Sequence, residues 1–596
     1  MTNTDNNNNA QSELILTQEQ EFAIKELPAL SSVISCPGSG KTLTAALRMA
    51  NRLSTWEHKS SGIALLSHTN VAIDSFTKEF IKLGYSGLPQ LPHFVGTLDG
   101  FLTQFLLANF GHLVMNCQRK PTLIHGGEKF LENNDFKVWF PLKNGANKHP
   151  VKVSDLCIGL SQDSKPYIYQ DLHQTERPPV NAEYAKTALY NLAAQGFYSH
   201  NHARYWAFQI LEKYPKIRKA LAHRFREVIV DEAQDTNLWQ QKILDKFIQE
   251  GCQISLIGDP DQSIFEFGQA DTSYLIDHSQ KEEVYKHKLS KNHRSNKAIV
   301  EVAKPLSTFG TIEADRECDE PWHGAYIMSY TDGQENELLE LFRSRTIEWG
   351  LEKDNCVAVA RANNEVKKLR GENTNLDNSS THQFIKATIQ RDNFADPRSA
   401  YEIVDKLVLH LCDTDKDWTI IKNDPNQKEL YYSLRKHVWQ FVRDSNNGLP
   451  SATLKAKTEW HPKLKNNLRV FYSDLDYLPH ISQPENLGQK IAAKNLEDIP
   501  ISHLSLSKKR LDTIRVDTVH GVKGESLDAT LYLANEKQIT PVIKRFEGSR
   551  ENNELVKIGY VAMTRPKHVL WLAIPEKTFN RKKDVFKNVG FHELAE

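Results

Sequence analysis

Phe225-Arg226-Glu227-Val228-Ile229-Val230-Asp231-Glu232-Ala233-Gln234-Asp235 is the stretch that decides the fold. Its run Val228-Ile229-Val230 has the β-branched character of a strand buried on both faces of a parallel sheet. Two carboxylates and an amide follow where the strand emerges, the edge at which open α/β sheets bind ligands. Asp231 has the chemistry to hold a magnesium ion, and Glu232 to orient or deprotonate a water. On these residues alone the cluster is equally a solvated turn, since loops are where polar residues ordinarily go.

Upstream lies a second junction of the same kind. The short strand Ser32-Val33-Ile34 runs into Ser35-Cys36-Pro37-Gly38-Ser39-Gly40-Lys41-Thr42, and the pattern predicts a helix over 43–53. Strand, glycine-rich loop and helix in that order form a phosphate cradle. The glycines let backbone N–H groups face the anion, and the helix dipole favours its charge. Lys41 reaches the β/γ-phosphates and Thr42 ligates magnesium. Ser35 stands where the strictest form of the pattern has its first glycine. Before the cradle, Thr17 and Gln20 form a capping box at the start of a helix.

Further strand-to-loop junctions follow. Ile63-Ala64-Leu65-Leu66 leads to Ser67-His68-Thr69-Asn70, and Val95-Gly96-Thr97 leads to Leu98-Asp99. Gln253-Ile254-Ser255-Leu256-Ile257 ends in Gly258-Asp259-Pro260-Asp261-Gln262-Ser263-Ile264-Phe265-Glu266-Phe267. A glutamine at such an end can sense a γ-phosphate. Phe265 and Phe267 suit either base stacking or core packing.

At 596 residues the chain is too long for one core, so several domains are expected. Lys+Arg 75 balances Asp+Glu 75, which neither advertises nor excludes nucleic-acid binding, because a basic groove can be offset elsewhere. The 7 cysteines include no C-x-x-C pair, which argues against zinc or iron–sulfur ligation and for a reducing compartment. No apolar run approaches a membrane span, and Met1 to Ala10 lacks the regions of a signal peptide. A bacterial cytoplasmic protein without a membrane partner is expected. The long interval from Lys41 to Asp231 exceeds the needs of one crossover and predicts an inserted domain.

Three more segments complete an ordered set. Leu289-Ser290-Lys291-Asn292-His293-Arg294-Ser295 resembles an Asn-Tyr-Arg-Ser motif. Val516-Asp517-Thr518-Val519-His520-Gly521-Val522-Lys523-Gly524-Glu525 resembles Thr-x-His-x-x-Lys-Gly, and Tyr560-Val561-Ala562-Met563-Thr564-Arg565-Pro566-Lys567 resembles Tyr-Val-Ala-x-Thr-Arg-Ala. Together with the earlier motifs, the chain resembles superfamily 1 helicases of the UvrD/Rep/PcrA group. The resemblance implies an α/β fold of two RecA-like P-loop NTPase domains, each with an inserted subdomain. Domain 1A would be 1–106 plus 203–276, its insertion 1B 107–202, domain 2A 277–372 plus 510–596, and its insertion 2B 373–509.

Carried over by resemblance, Gln20 reads adenine, 35–42 with His293 and Glu525 surround ATP, and Thr42 and Asp231 hold Mg2+. Glu232 activates water, Gln262 senses the γ-phosphate, and Arg294 and Arg565 are arginine fingers. Phosphoryl transfer is mostly positioning and charge stabilisation, which gives an arginine across a cleft its purpose. His68, Thr69, Asn70, Thr97, Phe265, Phe267, Thr518 and His520 would meet DNA. The departures are His68 for the usual Phe, Asp99 for a common His, Gly268 for an expected Arg, His293 for Tyr, and an acid one place early at Glu525. The Lys523-Gly524-Glu525 variant resembles helicase-like partners of OLD-family nucleases in Gabija-type phage-defence operons.

The activity implied is an ATP hydrolase and 3′–5′ DNA helicase, in the isomerase class, acting on single-stranded DNA and single-strand/duplex junctions in repair, recombination or phage defence. The alternative is an ATP-gated, DNA-sensing regulatory subunit of a nuclease complex that unwinds little. Basic-aromatic runs in 373–509, such as Lys428 to Lys436, suit duplex DNA or a solvated helix face.

Overall fold

The computed structural model describes residues 15–594, apart from 142–147, 162–164, 171–181, 265–272, 311, 332, 370–378, 394–395, 413–427, 479–480, 482, 494–495, 497 and 504–513. Two six-stranded sheets organise it, and every strand pairing within each is parallel. In the first, the spatial order is Tyr285–Leu289, Ser31–Ser35, Gln253–Gly258, Phe225–Val230, Gly62–Ser67 and Phe94–Thr97. Phe225–Val230 is thus an interior strand, and Val228, Ile229 and Val230 are buried, as its β-branched run requires. Ser31–Ser35 is also interior, so the loop after it and the acids after Phe225–Val230 emerge at one edge.

The second sheet runs Arg515–Thr518, Cys356–Ala360, Leu527–Leu533, Pro566–Pro575, Gly324–Tyr330 and His592–Glu593. Its central strands are nearly continuous apolar runs, such as Leu-Trp-Leu-Ala-Ile at 570–574, which pack against helices on both faces. The first sheet extends past residue 276, at which the sequence reading changes domain. It takes its edge strand from Tyr285–Leu289, which pairs with Ser31–Ser35 from Ser31↔Tyr285 to Ser35↔Leu289. That strand reads Tyr-Lys-His-Lys-Leu and is largely exposed, so it lacks the apolar signature of its neighbours.

Between residues 107 and 202 the chain forms short two-stranded ladders, Lys137–Pro141 with Lys148–Lys152 and Leu156–Leu160 with Pro166–Gln170, beside helix Ala182–Ala194. Their apolar side chains share one core with the first sheet, joined through Phe101, Trp206 and Trp239. Among the described residues of 373–509, helices Ser380–Asp392, Pro397–Leu411, Lys428–Arg443 and His461–Asp474 surround a separate core containing Phe384, Val438, Trp460 and Leu468. Among the described residues, no helix is long and apolar enough to cross a membrane.

Candidate active site

The cradle begins with a sharp exit from Ser31–Ser35. Ser35 Oγ donates to Gly258 O at 2.8 Å and is buried, so it fastens two strands. Gly38 and Gly40 have φ of 68° and 76°, a region costly to residues with a Cβ. A Cβ on Gly38 would lie 2.7 Å from Arg294 Cβ, and one on Gly40 would lie 2.8 Å from Gln20 Nε2. Gly40 leads into helix Lys41–Ser54 with no side-chain cap, which leaves the first-turn N–H groups without an intrahelical partner. Ser39 Oγ donates to Cys36 O at 2.9 Å, and Lys41 Nζ to the same carbonyl at 3.3 Å. Gln20 lies behind the loop, its Nε2 donating to Ser39 O at 3.0 Å while its Oε1 closes the capping box on Thr17 N.

Across the cleft, Thr42 Oγ1 donates to Asp231 Oδ2 at 2.9 Å. Asp231 Oδ1 is buried and has no hydrogen-bond partner among the described residues. Burial and the neighbouring Glu232 push the Asp231 carboxyl up to about 7, against the pull of Thr42 and Lys41. A divalent cation would reverse that penalty and take the spare oxygen. The hydroxyl–carboxylate pair therefore fits Mg2+.

Glu232 adopts φ 55° and ψ 41°, one of two non-glycine residues described with positive φ. Such a conformation is costly for a side chain with a Cβ and turns the carboxylate into the cleft. Burial would raise its pKa, but Lys41, Lys523, the amide of Gln234 and Arg565 outweigh burial and hold it down at about 2. Glu232 is thus an ionised acceptor at neutral pH.

Gln262 and the arginines arrive from opposite sides. Gln262 Nε2 donates to Asp259 Oδ2 at 2.6 Å, and its Oε1 accepts from Arg565 Nη2 at 2.7 Å. Arg294 Nε donates to Ser526 Oγ at 2.9 Å, and its Nη1 to Thr564 O at 3.2 Å. Burial, with Arg565 close by, lowers the Arg294 guanidinium to about 9. Lys41, Arg294 and Arg565 line one cleft, and Glu232 is the single acid among its described lining residues. That charge excess suits a polyphosphate.

Other expected residues sit elsewhere. Glu525 uses both oxygens on Arg515, at 2.7 and 2.9 Å, while its neighbour Gly524 lines the cleft. His293 meets the cradle through its backbone, N to Gly38 O at 3.0 Å, and its ring pairs with Asp315 at 2.7 Å. The hydroxyls of Thr69, Thr97 and Thr518 accept from Ala72 N, Gly100 N and Gly521 N, capping turns. His68, Asn70 and Thr97 line a separate cavity with Asp99, Arg204 and Gln240. There Asp99 accepts a bidentate pair from Arg204, at 2.9 and 2.6 Å, and a bond from Gln240 at 2.9 Å. Burial holds the His68 imidazole down at about 4, although Asp99 favours its charge. His520 reaches across to Ile264 O at 2.9 Å. Phe265, Phe267 and Gly268 lie outside the described residues.

One feature of the site carries no signal in either motif alone. Lys523 Nζ, from the second domain, donates to Asp235 Oδ2 and, at 2.7 Å, to Gln262 O, both in the first. Both residues stood in quoted motifs; what marked them, an acid and a lysine with no surface role, becomes visible only when the two motifs meet.

Two parallel sheets that face each other across a glycine-rich phosphate cradle, with arginines supplied from the second, define a protein of two RecA-like P-loop NTPase domains. Residues 16–283 match the UvrD/REP helicase N-terminal domain and residues 420–577 the UvrD-like helicase C-terminal domain. The chain belongs to the UvrD-like helicases of superfamily 1. Among curated proteins it is similar to one subunit of the ATP-dependent helicase/nuclease from Streptococcus sanguinis, 35% identical over 96 residues, which is 16% of this chain and 8% of that protein. The counterpart of the same name from Streptococcus pneumoniae D39 is 42% identical over 67 residues, 11% of this chain and 5% of the relative. That from Lactococcus lactis is 30% identical over 95 residues, 16% of this chain and 8% of the relative. The alignments span less than a tenth of these relatives' length.

Proposed function

We propose that this chain hydrolyses ATP to move 3′ to 5′ along single-stranded DNA and to open duplex ahead of it. The observation that supports the reading is the bond from Arg565 to Gln262, which brings a second-domain cation onto the residue that the resemblance assigns to the γ-phosphate. Glu232, ionised and aimed into the cleft, accepts the proton of a water as its oxygen attacks the γ-phosphorus and the bond to the ADP oxygen breaks. Lys41, Arg294 and Arg565 carry the charge that develops on the phosphoryl oxygens. Thr42 and Asp231 would hold Mg2+, which neutralises phosphate charge. Closure of the arginine side against the cradle shifts the two domains' grips on the strand. His68, Asn70 and Thr97 on the first domain and Thr518 and His520 on the second are the proposed DNA-facing positions.

The test is ATP turnover with and without single-stranded DNA, and strand displacement from 3′-tailed and 5′-tailed duplexes. DNA should raise turnover, Lys41→Ala and Glu232→Gln should abolish it, and only the 3′ tail should support displacement. Turnover indifferent to DNA and to Glu232→Gln overturns the reading.

A second reading is favoured by the names of the relatives, which are subunits of helicase/nucleases. In it the chain gates a nuclease, of OLD-family type in phage defence, and ATP binding reports DNA rather than driving unwinding. Turnover without strand displacement by the isolated chain, together with co-purification of a nuclease, distinguishes it.

A further inference from the structure

We propose that Asp261 is the positioning residue that couples the γ-phosphate-facing Gln262 to both arginines of the second domain. The inference rests on the ATPase reading above. Asp261 is buried, and its carboxylate accepts four hydrogen bonds, all from residues beyond the first sheet. Thr308 Oγ1 at 2.8 Å and Asn552 Nδ2 at 2.9 Å meet Oδ1. Ser307 Oγ at 2.8 Å and Thr308 N at 2.6 Å meet Oδ2. None of the four donors carries a charge. The carboxylate is satisfied by geometry rather than by an ion pair, so the bonds hold only in one relative placement of the two domains.

The partners are not arbitrary points. Ser307 and Thr308 end the run of strand Lys291–Asn296, helix Lys297–Ala303 and turn Lys304–Leu306, and that strand carries Arg294. Asn552 stands just before helix Glu554–Met563, whose far end delivers Thr564 and Arg565. Asp261 therefore grips the roots of both arginine-bearing elements, while Gln262, the next residue, touches the tip of Arg565. Asp259 fixes the pair from behind, accepting from Asp261 N at 3.0 Å and from Gln262 Nε2 at 2.6 Å. A shift of Gln262 toward or away from a phosphate must move Asp261 with it, because both lie in the single short turn Pro260–Gln262. The second domain then follows through four bonds.

Exchange of the donor and acceptor tests this. In Asp261→Asn the charge is lost and one acceptor oxygen becomes an N–H2, so Thr308 Oγ1 and the Asn552 amide, which must turn over to accept, no longer donate to a carboxylate. In Asn552→Asp two carboxylates meet. In the double variant the new amide at 261 donates to the new carboxylate at 552, Oδ1 of the amide still accepts from Ser307 and Thr308 N, and Thr308 Oγ1 can accept. Each single variant should lower DNA-stimulated kcat by about tenfold to a hundredfold, the cost of losing a hydrogen bond to a charged group in the transition state. KM for ATP should stay within about threefold, because Lys41 and the loop are untouched. The double variant should recover most of the loss.

A second readout does not need activity. With the accessible Cys157 and Cys318 replaced by Ser, dyes on Lys59→Cys and Lys537→Cys report the approach of the two domains. Each single variant should lower transfer efficiency without nucleotide, and the exchange should restore it. If the wild-type chain shows no ATP turnover but transfer responds in this pattern, the ATPase reading fails and the coupling stands. If transfer is the same in all four proteins, or the double variant is no better than Asp261→Asn in both readouts, the proposal is overturned.

Discussion

Replacing Asp235 by Ala removes one half of the buried ion pair that joins the domains. The side chains of Lys523 and Asp235 are 5% and 2% exposed, so neither can turn to solvent without the domains parting. After Asp235→Ala the ammonium keeps the carbonyl of Gln262, at 2.7 Å, as its anchor. Breaking a buried pair by deleting one partner costs about 3–5 kcal/mol, because a charge is left uncompensated. The reverse deletion, Lys523→Met, is softened by the acid itself. Burial already lifts Asp235 to about 6, Lys523 pulling it down and Glu232 pushing it up, so without the lysine it takes a proton. Its cost therefore falls at the low end, about 3 kcal/mol. Referred to the domain arrangement that hydrolyses ATP, that is a loss of about a hundredfold in kcat/KM for Lys523→Met, and up to about five-thousandfold for Asp235→Ala. The assay is DNA-stimulated ATP hydrolysis across the double-mutant cycle. Asp235→Ala/Lys523→Met leaves no stranded charge and should be no worse than the weaker single variant. Losses that simply multiply, with a coupling below about 0.5 kcal/mol, refute the reasoning, because the side chains would then act independently.

Two further outcomes follow from the same geometry. Glu232→Gly should abolish turnover yet leave the thermal midpoint unchanged or raised, since relief of a left-handed residue, about 1–2 kcal/mol, outweighs glycine's extra unfolded freedom of about 0.5–1 kcal/mol; a lowered midpoint by scanning calorimetry counts against stored backbone strain. His202 is fully buried, its Nε2 against Leu156 O at 3.0 Å, and burial holds its pKa down at about 4. The unfolded chain takes the proton first, so the contribution of neutral His202 is present above pH 6.5 and is lost as pH falls from there toward 4, by roughly 3 kcal/mol at most. His202→Gln should flatten the fall of the urea midpoint between about pH 6.5 and 5, and an unchanged slope excludes this histidine as its source.

What was legible was local. The cradle could be read because glycine spacing, a lysine and a helix start lie within eight consecutive positions, and Gly38 and Gly40 do adopt the backbone that spacing demands. Val228-Ile229-Val230 could be read because burial on both faces leaves an unbroken apolar run. Tyr285–Leu289 could not, since an edge strand has one paired side and its lysines face water. The fold of 107–202 stayed hidden for a related reason: its two-stranded ladders bury apolar residues against the first sheet's core, so no segment is self-sufficient. Glu525 shows a different obstacle. The resemblance placed it around ATP, but Arg515, ten positions earlier, supplies a bidentate partner that motif spacing does not register.

The acids at the first sheet's edge make the general point, because partners rather than residue type separate their roles. Asp231 has one oxygen on a hydroxyl and one without a hydrogen-bond partner among the described residues, and so retains capacity for a cation. Asp235 meets a buried ammonium from the other domain, and its bond resists domain separation through charge. Asp261 meets four neutral donors, and its bonds resist separation through direction. A charge interaction weakens gradually with distance, whereas four aligned hydrogen bonds are lost together over a fraction of an ångström. Asp235 and Lys523 are therefore suited to keep the domains associated while they move, and Asp261 to define one end of that movement. Asp235→Ala should consequently loosen the domains in every nucleotide state, while Asp261→Asn should loosen them only in the arrangement without nucleotide, where the four bonds align, a difference that domain-distance measurements with and without a non-hydrolysable ATP analogue resolve directly.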